Sequence, residues 1–302
     1  MAQPLVSILI NNYNYGRYLA EAIDSALNQT YSPVEVIVVD DGSTDDSAAV
    51  LATYADRVQV VQKENGGQAS AFNCGFAASQ GELICFLDAD DWFKPDKVAR
   101  IVEVFTADAT VEWCFHPLEM VDVTGKTHVA EIYQGPSGRY DISTKVQQGK
   151  LSGHLPFSGT ATSALCFRRS LLTAMLPMPE VIRITSDDYL KYVAWGTVPG
   201  YVLLDELTAQ RIHGDNAYTH RPDKQDLHAN IHLLTAYWLR QNFPVLSPFA
   251  NKLFAAGIHL YQGFQRAKLL DQPLMQQYLQ RTSRRERWAI RLRALYYRYK
   301  SV

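Results

Sequence analysis

Cysteine is scarce in this chain, and long apolar runs are missing. The four cysteines, Cys74, Cys85, Cys114 and Cys166, lie far apart and form no CxxC pair. Three sit within apolar runs, so they read as buried free thiols in a reducing compartment. No segment approaches the roughly 20 apolar residues needed to cross a bilayer, which excludes a spanning helix. The chain enters a strand at Leu5 with neither a charged n-region nor a long apolar h-region before it, so no signal peptide is expected. A cytoplasmic protein is expected, with contact at a membrane surface left open. The net charge of −2 argues against a general nucleic-acid binder. Internal repeats and low-complexity tracts are absent.

What is present is an ordinary globular composition, 47% hydrophobic and 20% charged over 302 residues. That length suits one large α/β domain with an appendage, or two small domains. The first hundred residues alternate strand and helix. "LVSILI", "VEVIVVD", "VQVVQ" and "ELICFL" are continuous apolar runs, as expected of strands covered on both faces. Helical spacing follows each: "YLAEAIDSALNQT", then "DGSTDDSAAVLATYA" with Ser43 or Thr44 as cap, then "QASAFNCGFAASQ" ended by Gly81, then a helix over 94–105 opened by Pro95. Such repetition predicts a parallel sheet with right-handed crossovers. Further on, 111–133 reads as β structure with a turn at "VTGK", 135–159 as loop, and "SALCFRR" as a strand. "SDDYLKYVAWG" reads as a helix with Ser186 at its N-cap, "GYVLLD" as the last strand, and helix dominates from about Asp223.

Ligands of parallel sheets bind beyond the carboxyl ends of the strands. Each of the four strands ends there in polar groups: Asn11 and Tyr13, Asp40 and Asp41, Glu64 and Asn65, then Asp88 and Asp90. In "DADD", Asp88, Asp90 and Asp91 would repel one another if desolvated. A divalent cation, Mg²⁺ or Mn²⁺, removes that cost and bridges to phosphates. A solvated turn with a helix cap is the plainer account, and it fits poorly behind a buried strand. Asp40 or Asp41 could accept hydrogen bonds from a base or ribose. "ENGGQASAF" could cradle phosphate on backbone N–H groups around Gly67 at a helix start, although it is neither GxGxxG nor GxxxxGK[ST]. Asp187 and Asp188 are stabilised by a helix dipole alone, yet one of them could take a proton from a hydroxyl. Arg211 and His213, in the polar stretch "RIHGD", could reach a diphosphate.

"VSILINNYNYGRYLAEAIDSALNQTY", "VEVIVVDDGSTDDS", "NGGQASAFNCGFAASQGELICFLDADD" and "SDDYL" resemble, in order and spacing, the family 2 glycosyltransferases of GT-A fold. The likeness covers roughly residues 4–215. It implies a Rossmann-like, mostly parallel sheet flanked by helices, and inverting transfer of a sugar from a nucleotide-diphosphate donor to an acceptor hydroxyl with a divalent metal. By position, Asn11, Tyr13 and Asp41 would hold the base and ribose. Asp88 and Asp90 match the D-x-D motif, with Asp90 and Asp91 towards the metal. Asp188 matches the catalytic base, and His213 falls near a histidine that meets metal or diphosphate. Two positions depart from the family. Asn11 or Asn12 stands where proline is frequent, and Asp187 stands where the acid pair begins with Glu, which leaves the base to be chosen between Asp187 and Asp188.

The expected enzyme is a metal-dependent glycosyltransferase, with Mn²⁺ or Mg²⁺ and a UDP-linked donor, in polysaccharide or glycoconjugate synthesis. Its acceptor would be a glycan, a lipid-linked sugar or another hydroxyl compound. Two rivals are a nucleotidyltransferase of related fold and a non-catalytic sugar-nucleotide-binding partner subunit. The first would show a basic Gly-rich loop where only Arg17 stands. The expected division is a catalytic domain over 1–222 and a C-terminal helical extension over 223–302. In the extension Trp288, Leu292, Leu295 and Tyr299 can share one helix face and Arg284, Arg291 and Arg298 another, as on a peripheral membrane helix or on a helix packed with a solvated basic side.

Overall fold

The computed structural model describes residues 3–128, 135–157, 159–214, 216, 224–261 and 273–300. The four strands expected first are β1 (Val6–Asn12), β2 (Val34–Asp40), β3 (Gln59–Gln62) and β4 (Leu83–Asp88). The helices that follow them are α1 (Gly16–Leu27), α2 (Ser47–Ala52), α3 (Gln68–Ala78) and α4 (Lys97–Ala107). β1 lies between β2 and β4 and runs parallel to both, and β3 lies outside β2. The chain thus winds outward from β1 to β3 and returns on the other side of β1. The carboxyl ends of β1 and β4 flank this reversal, where open parallel sheets take their ligands.

Beyond β4 the eight-stranded sheet continues through β10 (Leu165–Arg168), β6 (Trp113–Phe115), β11 (Gly200–Val202) and β9 (Gly138–Tyr140). β9 and β10 are antiparallel to their neighbours, and the other strands share the direction of β1. A second sheet orders β5 (Trp92–Phe93), β12 (Thr208–Ile212), β7 (Glu119–Asp122) and β8 (Thr127–His128).

The unbroken apolar strands follow from burial on both faces. Leu9, Ile37, Ile84 and Phe86 enter one hydrophobic core, while Ile8, Ile10, Val38, Cys85 and Leu87 enter the other. Full burial of one such side chain stabilises the fold by about 1.5–3 kcal/mol, so each strand is fixed in register from both sides. The second core is closed by α1 and α4 through Leu19, Ile23, Val98 and Ile101. The first is closed by α3 and by α6 (Arg169–Met175), α7 (Asp187–Thr197), α8 (Lys224–Asn242), α9 (Ser247–Leu260), α10 (Pro273–Gln280) and α11 (Arg284–Lys300). Leu233, Phe254, Tyr278 and Ile290 belong to the same cluster as Phe115 and Phe167 of the sheet, and the Phe254 and Tyr278 rings stack with centroids 3.8 Å apart.

Several local expectations differ from the structure. Ser43 and Thr44 do not cap α2, which starts at Ser47; Asp45 accepts hydrogen bonds from the Ser47 N–H at 3.0 Å and the Gly16 N–H at 2.8 Å. α3 stops at Ala78, before Gly81, which is small for another reason. A Cβ there would stand 2.6 Å from the Ser7 backbone nitrogen. α4 begins at Lys97, two positions after Pro95. Ser186 does stand at the N-cap of α7, but its hydroxyl donates to the Ile182 carbonyl at 2.6 Å and makes no cap bond. Within the expected loop 135–159 lie β9 and the short helix α5 (Ser143–Gln147).

Candidate active site

The carboxyl ends of β1 and β4, the turn before α3 and the start of α7 line one cleft of about 830 Å³. Asn11 and Asp88 are register partners on β1 and β4, and the Asn11 amide donates to Asp88 at 2.5 Å. Among the described residues, Asn11 Oδ1 is buried without a hydrogen-bond partner. Burial, with the charges of Asp90 and Asp187 added, pushes the Asp88 carboxyl up to about 7. Asp90 also lines the cleft; its Oδ2 lies 3.0 Å from His213 Nε2 and accepts from the Asn216 amide at 3.1 Å. Asp91 lines the cleft as well, with hydrogen-bond partners of its own. It accepts from the Ser163 hydroxyl at 2.6 Å and from the Arg211 N–H at 3.0 Å, and burial, then Asp90 and Asp88, holds it well above the ordinary carboxylate range.

The residues fit a hard divalent cation. Asp88 and Asp90 offer oxygen donors, and the raised carboxyl of Asp88 is what burial and then uncompensated like charge produce. No cluster of three metal-ligating side chains occurs among the described residues. An ion held by one or two carboxylates and substrate phosphates needs no more.

Asp41 shapes the next wall. Its two oxygens accept the N–H groups of Gly66 at 2.8 Å and Gly67 at 2.7 Å, and Lys63 pairs with it at 2.6 Å. Gly67 has φ +86, and a Cβ there would stand 2.8 Å from the Cβ of Arg183, so glycine is required by conformation and by space. This clamp fixes the start of α3. Gln68 then donates to Thr162 at 3.0 Å and accepts the Ser186 N–H at 2.8 Å, tying α3 to the segments beside Asp88 and Asp187.

Asp187 and Asp188 open α7, where the helix N-terminus favours negative charge. The side chain of Asp187 is 6% exposed and that of Asp188 20%, and both line the cleft. Lys191, one helical turn on, stands 3.1 Å from Asp187 and 2.9 Å from Asp188, and donates to the Thr160 carbonyl at 2.6 Å. Burial pulls Lys191 down, but the two carboxylates outweigh it and hold it above the usual lysine range. Burial, offset by Lys191 and reinforced by Asp188, raises Asp187.

The structure brings Asn11, Tyr13, Asp41, Gly67, Asp88, Asp90, Asp91, Asp187 and Asp188 into the one cleft. It places Arg211 and His213 behind that wall. The Arg211 guanidinium lies 4.7 Å from the ring centroids of both Tyr18 and Trp92, and pairs with Glu21. His213 is 4% exposed, packed against Tyr15 and Tyr18. Gln68, Thr162, Lys191 and Asn216 are lining residues that sequence reasoning missed. Only Lys191 carried a signal, the spacing of three and four residues from the acid pair on a helix.

A mostly parallel sheet of this order, with strand-end carboxylates and a helix-borne acid pair lining one cleft, has the GT-A architecture. The structure is similar to that of TarS from S. aureus in complex with UDP, with TM-score 0.61, 18% identity, and coverage of 87% of this chain and 77% of that one. It is also similar to the mannosyltransferase PcManGT of Pyrobaculum calidifontis in complex with GDP-Man and Mn²⁺, with TM-score 0.51, 16% identity, and coverage of 97% and 85%. In sequence it is 39% identical over 216 residues to an uncharacterized glycosyltransferase of Nostoc sp., covering 70% of this chain and 66% of that one. It is 31% identical over 203 residues to the putative glycosyltransferase EpsH of Bacillus subtilis, covering 64% and 56%. The match thus spans less than two thirds of either relative. The model of glycosyl transferase family 2 matches residues 7–172, and the chain belongs to that family.

Proposed function

We propose that this chain transfers a sugar, with inversion, from a UDP-linked donor to an acceptor hydroxyl, with Asp188 as the base. One observation carries the reading. The strand-end carboxylates Asp88 and Asp90, the Asp41-clamped Gly66–Gly67 turn and the acid pair of α7 line a single cleft at the reversal point of the sheet. The nucleotide would lie over Asn11, Tyr13 and Asp41. The TarS complex with UDP, on a similar fold, favours uridine. Asp88 and Asp90 would hold Mn²⁺ or Mg²⁺, which when bound neutralises the charge developing on the diphosphate. His213 and Asn216 orient the Asp90 carboxylate through its Oδ2.

Displacement at the anomeric carbon requires the acceptor hydroxyl to lose its proton. Asp188 is the more exposed of the pair, and Lys191 keeps its carboxylate turned to one side of the cleft. Asp187 is more deeply held and acts as a positioning residue. α8 supplies the opposite wall through His228, Ile231 and Leu234, where the acceptor would lie. Direct attack on the face away from the diphosphate inverts the centre without a covalent intermediate.

Asp188→Asn is the deciding variant. Loss of a positioned base costs about 10²–10⁴-fold in rate, while UDP binding in the presence of Mn²⁺ should stay unchanged by calorimetry. Slow UDP release from candidate UDP-sugars by the unaltered protein would separate an enzyme from a binding subunit. Normal transfer by Asp188→Asn would remove the base assignment.

A further inference from the structure

We infer that α11 is a docking surface for an anionic lipid membrane. Its inward side is settled: Ile290 and Ala294 are 2% exposed and belong to the core. Its one acidic residue, Glu286, is also turned inward. It pairs with Arg240 at 2.8 Å and accepts from the Asn251 amide at 2.9 Å. Successive residues of a helix turn by about 100°, so Trp288, Leu292, Leu295 and Tyr299 fall on the side opposite Ile290 and Ala294. They are 65%, 58%, 43% and 81% exposed, and Tyr296 beside them is 59% exposed. These are most of the exposed large hydrophobic side chains of the described residues.

An apolar stripe of this kind on a water-soluble surface marks a contact. The charges around it select the partner. Arg284, Arg291 and Arg298 recur at heptad spacing along one border of the stripe, and all three are exposed. Arg285, Arg287 and Arg293 are exposed on the same helix, and with Glu286 committed to Arg240 no acidic side chain of α11 offsets them. An outward aromatic and leucine face bordered by arginine suits the headgroup boundary of an anionic bilayer, where long basic side chains reach phosphates while the rings sit at the interface. No helix among the described residues is long and apolar enough to cross a membrane, so the contact is peripheral. None of these residues lines the cleft, and the inference stands whatever the cleft transfers.

The test is flotation of the full chain with vesicles of phosphatidylglycerol and phosphatidylcholine, and with vesicles of phosphatidylcholine alone. Binding is expected to the anionic vesicles only. Combining Arg284→Glu, Arg291→Glu and Arg298→Glu should reduce it by about a hundredfold or more, since each basic residue near such a surface contributes roughly a factor of five. Leu292→Ser with Leu295→Ser should reduce it by about tenfold with every charge kept. Circular dichroism and Mn²⁺-dependent UDP binding should match the unaltered chain in both variants. Recovery in the soluble fraction with anionic vesicles, or equal flotation with neutral ones, would overturn the inference. So would a concentration-dependent dimer in sedimentation that the serine variant abolishes, because the stripe would then be covered by a second copy.

Discussion

Replacing Lys191 with methionine tests whether the acid pair is held by one buried charge. Lys191 is 5% exposed and has three oxygens within reach: Asp187 at 3.1 Å, Asp188 at 2.9 Å and the Thr160 carbonyl at 2.6 Å. Methionine fills much of the same volume and supplies no donor. Removing one partner of a buried ion pair costs about 3–5 kcal/mol, a large part of the 5–15 kcal/mol typical of a folded domain. The pH dependence identifies the cause. A raised lysine contributes stability that is complete below its ordinary value of 10.5, so the pair is intact in the unaltered protein at neutral pH. Asp187 is already raised by burial and would rise further without Lys191. A carboxyl raised in the folded state binds its proton more tightly there than in the unfolded chain. Stability therefore falls as pH rises from the ordinary 3.8 through the folded value, and the variant's deficit should shrink on acidification. Urea unfolding followed by circular dichroism, at about pH 7.5 and about pH 5, measures both points. A variant within about 1 kcal/mol of the unaltered protein at the higher pH, or a deficit that grows on acidification, would refute the reasoning.

Two more outcomes follow from the geometry. Because Asp88 is pushed up to about 7, Mn²⁺-dependent UDP binding should strengthen by several-fold between about pH 6 and pH 8 as the carboxyl loses its proton. Calorimetry across that range checks it, and the trend should flatten in Asp88→Asn. The unliganded protein should move the opposite way in stability, losing it as pH rises from 3.8 towards 7. Gly67→Ala forces a Cβ against Arg183 at φ +86, so it should lower stability by about 1–3 kcal/mol and weaken UDP binding, read by thermal shift with and without nucleotide.

The parts of the fold that could be read in advance were those with a local cause. β1 and β4 are continuous apolar runs because alternate residues enter two cores, and any sequence with that property declares a covered strand. The cleft edge was readable for the same reason, since each strand ends abruptly in polar residues. What could not be read depended on partners distant in sequence. Gly138–Tyr140 becomes a strand only because β11 pairs with it. Nor does the sequence around Arg211 announce that Tyr18 and Trp92 close on its guanidinium from elsewhere in the chain. Gln68 gives no sign that its two hydrogen bonds run to Thr162 and Ser186.

The acidic run after β4 shows how one edge of a sheet can carry three carboxylates by giving each a different neighbourhood. Asp91 lines the cleft too, but its oxygens are taken by the Ser163 hydroxyl and the Arg211 N–H, and its charge acts on the buried Lys97. Lys97 is itself fully buried, and it donates to the Ser163 carbonyl at 2.6 Å and to Thr208 at 3.0 Å. Ser163 therefore works from both ends. Its hydroxyl donates to Asp91 and accepts the Asp88 N–H at 3.0 Å, and its carbonyl takes the lysine. This internal arrangement fixes the backbone on either side of Ala89, so Asp88 and Asp90 can face the cleft without rotating away from each other's charge. Asp88 meets the Asn11 amide and Asp90 meets His213 and Asn216, which leaves both carboxylates oriented but short of positive charge. Burial and the neighbouring carboxylates raise Asp88 and Asp91, an electrostatic deficit at the cleft edge that a cation would offset.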